Sequence, residues 1–265
     1  VTNPTLSTVG TITYYGEAYN GVCRSVTRLA VTLTIDAAPA KPISTGNITQ
    51  CEALPIQTLD ANTSITPTPG QTVIWYDAPT VGNIVPTPTL STTGSITYYA
   101  ESNDGTCPSY SRTAVTLTIK AAPAPPISTG NITQCERAPI QTLNASTAIT
   151  PTAGQTVTWY DAPTAGNTVV SPTRNTTGSV TYYAQSNGGT CNSLTRTAVT
   201  LTINPASVAA VSTGNITQCE ATPIQTLNAN TAITSVPGQN ITWYDAATLG
   251  NIVANPTLNT VGTAT

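Results

Sequence analysis

The 265-residue chain has no histidine, methionine or phenylalanine, and only 7% of it is charged, against roughly 25% in ordinary globular chains. Without histidine, no imidazole zinc ligand and no histidine-based nucleophile–base pair can be assembled. A net charge of −3 leaves no basic footprint, which argues against a nucleic-acid partner. No apolar run is long enough to span a membrane. With no initiator Met and no signal peptide, the chain reads as an excerpt from a longer protein. Thr, Asn, Ser, Pro, Gly and Val fill the composition instead, so solubility comes from hydroxyl and amide groups on β-favouring residues.

What is there is a repeat. Ser44–Glu52, STGNITQCE, returns letter for letter at Ser128–Glu136 and Ser212–Glu220, at the same offset each time. Trp75, Trp159 and Trp243 keep that step, as do Cys51, Cys135 and Cys219, and Cys23, Cys107 and Cys191. A period of about 84 residues is a small domain rather than a solenoid turn. Three periods nearly fill the chain, and the remainder, Val253–Thr265, closely copies Val1–Thr13. The expected organisation is the C-terminal part of a unit over 1–38, complete units over 39–122 and 123–206, and the N-terminal part of a unit over 207–265. Pro-rich spacers such as Lys120–Ile127 join them and should be extended and semi-rigid.

Alternating β-branched runs separated by Gly, Pro and Asn predict an all-β sandwich. In 39–122 the strands read as A (Ile43–Gln50), B (Pro55–Ala61), C (Thr72–Asp77), F (Gly94–Glu101) and G (Ser111–Ile119). Asn103-Asp104-Gly105 turns F into G, because Asp-Gly supplies the positive φ angles of a tight hairpin. Immunoglobulin-type sandwiches carry Leu-x-Cys on B, Trp on C and Tyr-x-Cys on F. Here Leu59-Asp60-Ala61, Trp75 and Tyr98-Tyr99-Ala100 occupy that frame with alanine replacing both cysteines. Leu143-Asn144-Ala145, Trp159 and Tyr182-Tyr183-Ala184 repeat it. The expected core is therefore Ala61, Trp75, Tyr98, Ala100, Ala145, Trp159, Tyr182, Ala184 and Trp243. Tyr98 becomes a corner tyrosine bonded to backbone.

The six cysteines match no C-x-x-C metal spacing, and structural disulfides in an oxidising compartment are the better reading. On this topology Cys51 lies at the A–B pole and Cys107 at the F–G pole, roughly 25–30 Å apart by strand rise. A bond within one unit is therefore strained, since Cα atoms must come within about 7 Å. Between successive units the two poles meet. Geometry favours Cys51–Cys191 across the junction over an intradomain Cys51–Cys107 bond or free thiols, with Cys23, Cys107, Cys135 and Cys219 pairing to units outside the excerpt.

Candidates for chemistry are few. Glu52, Glu136 and Glu220 recur, as do Asp77, Asp161 and Asp245, and Arg28, Arg112 and Arg196. They allow a calcium site or a carboxylate pair, but one weak solvent-side ion pair or turn bond per unit is the simpler reading. Lys41 and Lys120 are out of step with the repeat, which disfavours an isopeptide crosslink in each unit. The Trp-Tyr and Tyr-Tyr pairs suggest a sugar platform, against the plainer alternation of one ring inward and one outward. No catalytic constellation, metal site or cofactor is expected.

Cys51-Glu52, Trp75-Tyr76, Tyr98-Tyr99-Ala100, Gly105-Thr106-Cys107 and Arg112–Ile119 together resemble the Ig-like repeats of Bacteroidetes cell-surface proteins exported by the type IX system, gliding-motility adhesins among them. The resemblance implies tandem immunoglobulin-like sandwiches forming an elongated rod at the cell surface. It implies a stalk or filament shaft whose partners are neighbouring repeats of the same chain, with surface glycans or the gliding and secretion machinery reached through other regions. The alternative is a multivalent carbohydrate-binding array.

Overall fold

In the computed structural model, which describes residues 1–264, the chain is made of short strands and three single-turn 3-10 helices. By contacts it divides into two compact units. One comprises Val1–Ile132, Asn144–Thr173 and Val180–Leu201; the other comprises Thr133–Leu143, Arg174–Ser179 and the residues from Thr202 on.

The first unit opens with an antiparallel hairpin, β1 (Gly10–Gly16) and β2 (Leu29–Ile35). A sandwich follows, formed by β3 (Ile43–Ser44), β4 (Ile48–Cys51), β5 (Leu59–Asp60), β6 (Ile65–Thr66), β7 (Thr72–Tyr76), β8 (Thr89–Leu90), β9 (Gly94–Asn103) and β10 (Thr113–Lys120). One face is the four-stranded sheet β4-β10-β9-β7, in which β4 runs parallel to β10. The pairs β3-β6 and β5-β8 supply the opposite face. Strand β10 shows why the period-2 pattern folds this way. Val115, Leu117 and Ile119 are buried in the core. Between them, Thr116 faces Thr97 across the ladder with their hydroxyls 2.8 Å apart, and Thr118 bonds Ser95. Threonine thus supplies both strand propensity and a polar outer face without charge.

Trp75 is the centre of the core. It stands opposite Ala100 in the β7–β9 register, and Ala100 and Ala61 are both fully buried. Two alanines where immunoglobulin domains carry a cystine leave the volume that the indole fills. Its N–H donates to Asn62 Oδ1 at 2.7 Å. Asn62 sits on the 3-10 turn Ala61–Ser64, whose N-cap is Asp60. The Tyr98 hydroxyl donates to the Thr89 carbonyl at 2.8 Å, and Tyr182 repeats this bond to Thr173 at 2.8 Å. Ala145, Trp159 and Ala184 are buried in the same arrangement, with Trp159 opposite Ala184.

Several expectations are corrected. Strand A is not continuous over Ile43–Gln50, because Gly46, at φ +120°, breaks it. Before the break β3 pairs with β6, and after it β4 joins β10. The Asn47 side chain fills the gap by accepting the Thr116 amide at 2.9 Å, in place of the ladder bond that the break removes. Only Leu59–Asp60 of strand B is extended, since Asp60 caps the 3-10 turn that follows. Tyr182 and Trp243 are half-buried rather than core residues. The second repeat has Arg174 where the first packs Leu90 against its core. Trp243 lies in the second unit, on the pair Trp243–Tyr244 with Ile252–Val253. Among the described residues no counterpart of β9 and β10 follows to cover it, although its N–H still donates to Asn230 at 2.6 Å.

Trp75→Ala is expected to destabilise the first repeat by about 3–5 kcal/mol, as for large aromatic truncations in cores. Asn62→Ala, which removes only the indole partner, should cost about 1 kcal/mol. Urea unfolding of the full chain measures both, and equal effects from the two variants would contradict this division.

Candidate functional site

The parallel pairing of β4 with β10 delivers the Cys-Glu turn to the end of the repeat. Cys51 lies in register with Lys120, the last residue of β10. The Glu52 amide donates to the Lys120 carbonyl at 2.8 Å, and one Glu52 carboxylate oxygen accepts the Ala122 amide at 3.0 Å. Behind it, Gln57 closes the turn: its side-chain amide donates to the Cys51 carbonyl at 2.6 Å, and its oxygen accepts the Ala53 amide at 3.0 Å. Glu52 is therefore not half of an ion pair. It holds the backbone of the outgoing spacer, and Glu136 does the same for Ala206 at 3.2 Å in the second unit.

Cys51 and Cys191, both in the first unit, form a disulfide with a Cα–Cα distance of 5.6 Å. Cys191 is presented by the turn after the strand Gly178–Asn187, which the Gly188 amide closes by donating to the Cys191 carbonyl at 3.0 Å. A Cβ on Gly188 would lie 3.6 Å from Pro123 Cγ and 3.4 Å from that carbonyl, so the spacer packs closely on this turn. In the first repeat the same position is Asp104, whose carboxylate accepts the Thr106 and Cys107 amides at 2.9 and 2.7 Å. Among the described residues Cys23, Cys107, Cys135 and Cys219 are unpaired.

The recurring Arg and Asp form a second cluster. The Arg112 guanidinium lies over the Tyr76 ring at 3.3 Å from its centroid. It donates to Glu101 at 3.1 Å and to the carbonyls of Ala78 and Val81 at 2.7 Å each. Its side chain is only 10% exposed, which corrects the expectation of a weak solvent-side pair. The loop that it grips is also held by Asp77, which accepts the Asn83 amide at 2.7 Å and the Asn83 side chain at 2.9 Å. Val81 is held at φ +56°, a conformation that β-branched residues rarely adopt. A Cβ at Gly82 would come within 2.5 Å of the Asp77 carboxylate. Burial and the Glu101 carboxylate push the Tyr76 hydroxyl above its ordinary value. Arg196 repeats the stack on Tyr160 at 3.3 Å and both carbonyl bonds. Gln185 replaces the acid there and donates to the Ser193 carbonyl. In the hairpin β1–β2, Glu17 pairs with Arg24 and Arg28, but both arginines are about two-thirds exposed.

A family model described as "Ig-like domain CHU_C associated" matches residues 39–120 and 123–205. The chain belongs to this Ig-like domain family. The family is a Bacteroidetes-type repeat, in agreement with the resemblance carried by the cysteine, tryptophan and tyrosine motifs. No curated protein matches the chain. Solved structures similar to it include the chicken CNTN1 FN1-FN3 domains, with 10% identity, TM-score 0.34 and coverage of 73% of this chain and 76% of that one. The Drosophila OTK extracellular domains 3-5 match with 10% identity, TM-score 0.30 and coverage of 74% and 71%. The Sidekick-1 immunoglobulin domains 1-5 match with 13% identity, TM-score 0.28 and coverage of 92% and 56%. These superpositions are loose; the family match and the strand pairing define the fold.

The recurrence of Arg112 and Asp77 was visible in the sequence of these Ig-like repeats, but their partners were not. The string Asp-Ala-x-Thr-x-Gly-Asn at Asp77–Asn83, Asp161–Asn167 and Asp245–Asn251 was the available signal for a loop closed on its own first residue.

Arg112→Ala should cost the first repeat about 3 kcal/mol, the scale for orphaning a buried charge. Arg112→Lys should recover less than half of it, because an ammonium cannot span two carbonyls and a carboxylate; urea midpoints test both. The Asn83 side-chain amide, and then its backbone amide, hold the Asp77 carboxyl below its ordinary 3.8. Asp161 and Asp245 are lowered in the same way by Asn167 and Asn251. A depressed folded value means that this stabilisation is complete above the unfolded value and is lost as pH falls through the folded one. The Asn83 amide resonance should therefore stay constant from neutral pH down to about 4 and shift below it. Asp77→Asn should abolish that shift.

Proposed function

We propose that these Ig-like repeats form the shaft of a long bacterial cell-surface adhesin, supplying length and stiffness to an extracellular filament used in adhesion or gliding motility. The observation that carries this reading is the Cys51–Cys191 bond, which ties residues 140 apart in sequence and links the two complete repeats matched by the family model. A second covalent tether beside the Pro-rich spacer restricts the swivelling that a single linker permits. In an array continuing with the same period, Cys23, Cys107, Cys135 and Cys219 make the corresponding bonds to further repeats. Such bonds persist in an oxidising, extracellular setting, consistent with export by the type IX route. The repeats have no catalytic part in this reading.

The arrangement of the aromatic residues supports a spacer over a sugar-binding array. Trp75 is buried and one face of Tyr76 is covered by Arg112, which leaves this Trp-Tyr pair without the freely exposed ring that a sugar platform needs. The alternative stays testable on a glycan array. Reproducible binding by the chain that disappears in Tyr76→Ala, with the fold retained, would replace the shaft reading by carbohydrate recognition.

Non-reducing digestion and mass spectrometry of native material should yield a peptide joining Cys51 to Cys191. A Cys51–Cys107 peptide would overturn the joint on which the shaft rests.

A further inference from the structure

We propose that the Cys51–Cys191 bond removes residues 52–190 from the load path, so that tension along the chain passes through short segments while most of each sandwich is shielded. The purpose of this device rests on the shaft reading; the topology does not. Traced from the N-terminal side, the covalent route reaches Cys51 at the end of β4 and crosses the sulfur–sulfur bond directly to Cys191. It then continues into the strand Thr197–Asn204. Everything between, from β5 to the end of the strand Gly178–Asn187 and including the cores around Trp75 and Trp159, lies on a closed loop in parallel with that bond. Unfolding within that loop therefore adds nothing to the extension of the chain while the bond is intact.

The contacts around the bridge suit this role. Glu52 and Lys120 hold the spacer where it leaves β10, and Pro123 packs on the Gly188 turn that carries Cys191. The bond thus forms at a site where both backbones are already fixed by other contacts. In an array of the same period the next bridge would begin at Cys135, inside the loop closed by Cys51 and Cys191. Successive loops then overlap, so that in an array residues 52–134 also belong to a second covalent route and can add length only when both routes lengthen together. One broken peptide bond between residues 52 and 190 leaves the chain in one piece.

The test is to stretch the full chain from its two ends in an optical trap, oxidised and then exposed to dithiothreitol, at a constant force high enough to unfold a single sandwich. Reduction returns two cysteine thiols while the reagent's two thiols close to its cyclic disulfide, so electrons balance without a further partner. The expected result is a total lengthening of about 490 Å on reduction, from a separation of 140 at roughly 3.5 Å per residue, and no such gain in Cys51→Ser. A gain of less than half that length would signal a bond within one repeat, from Cys51 to Cys107. That shorter gain, or none at all in the wild-type chain, would overturn the proposal. Glycan binding by the same material would remove the shaft reading while leaving the full lengthening in place, so the two failures are distinguishable.

Discussion

The strand switch at Gly46-Asn47 is the constraint on which the remaining features depend. Had strand A continued along β6, Cys51 would have finished on the opposite sheet, away from the end of β10. The positive φ of Gly46 turns the chain, and Asn47 replaces the missing ladder bond to Thr116. Strand β4 then runs parallel beside β10 as far as Lys120. That short parallel pair places a half-cystine and a carboxylate, on consecutive residues, at the point where the chain leaves the sandwich. In the first two copies of STGNITQCE, turn, side-chain patch, parallel strand, cysteine and spacer anchor are consecutive steps of one construction.

Architecture was legible in the sequence because it depends on periodicity. The fixed step between copies and the Leu-x-Ala, Trp and Tyr-x-Ala frame rest on residues whose meaning is positional. Asn103-Asp104-Gly105 does turn the chain, but with a positive φ at Gly105 alone and a connection that runs on to Thr113. The geometric case for a bond between Cys51 and Cys191 needed only the poles of a sandwich. Interior details were less legible. That Arg112 lies inside a cage of two carbonyls, a carboxylate and a ring depends on a loop closed by Asp77, and a single recurring arginine does not name its partners. Asn62 and Asn47 look like ordinary polar loop residues until their acceptor atoms are placed. The break in strand A was hidden because Ile43–Gln50 alternates well enough for one strand. The competing requirement, satisfaction of the Thr116 amide, lies far downstream.

The low charge of the chain is matched by how its polar groups are used. Outward threonines bond each other across β9 and β10, and amide side chains cap turns and the indole. Apart from the exposed pairs of Glu17 with Arg24 and Arg28, the ionisable groups with short contacts hold loops and the spacer. Gln185 in place of Glu101 shows that the arginine cage keeps its ring and carbonyl contacts when the acid is absent.

The joint has a further consequence for inheritance. Its cysteines come from adjacent repeats and sit at fixed positions within each. Deleting or duplicating one whole period in phase anywhere in such an array regenerates the same pair at every boundary. Near-identical copies in a gene invite unequal crossing-over, which would ruin a protein whose cross-links joined particular distant modules. In an array built on this pair, length could drift between generations while each seam kept its chemistry.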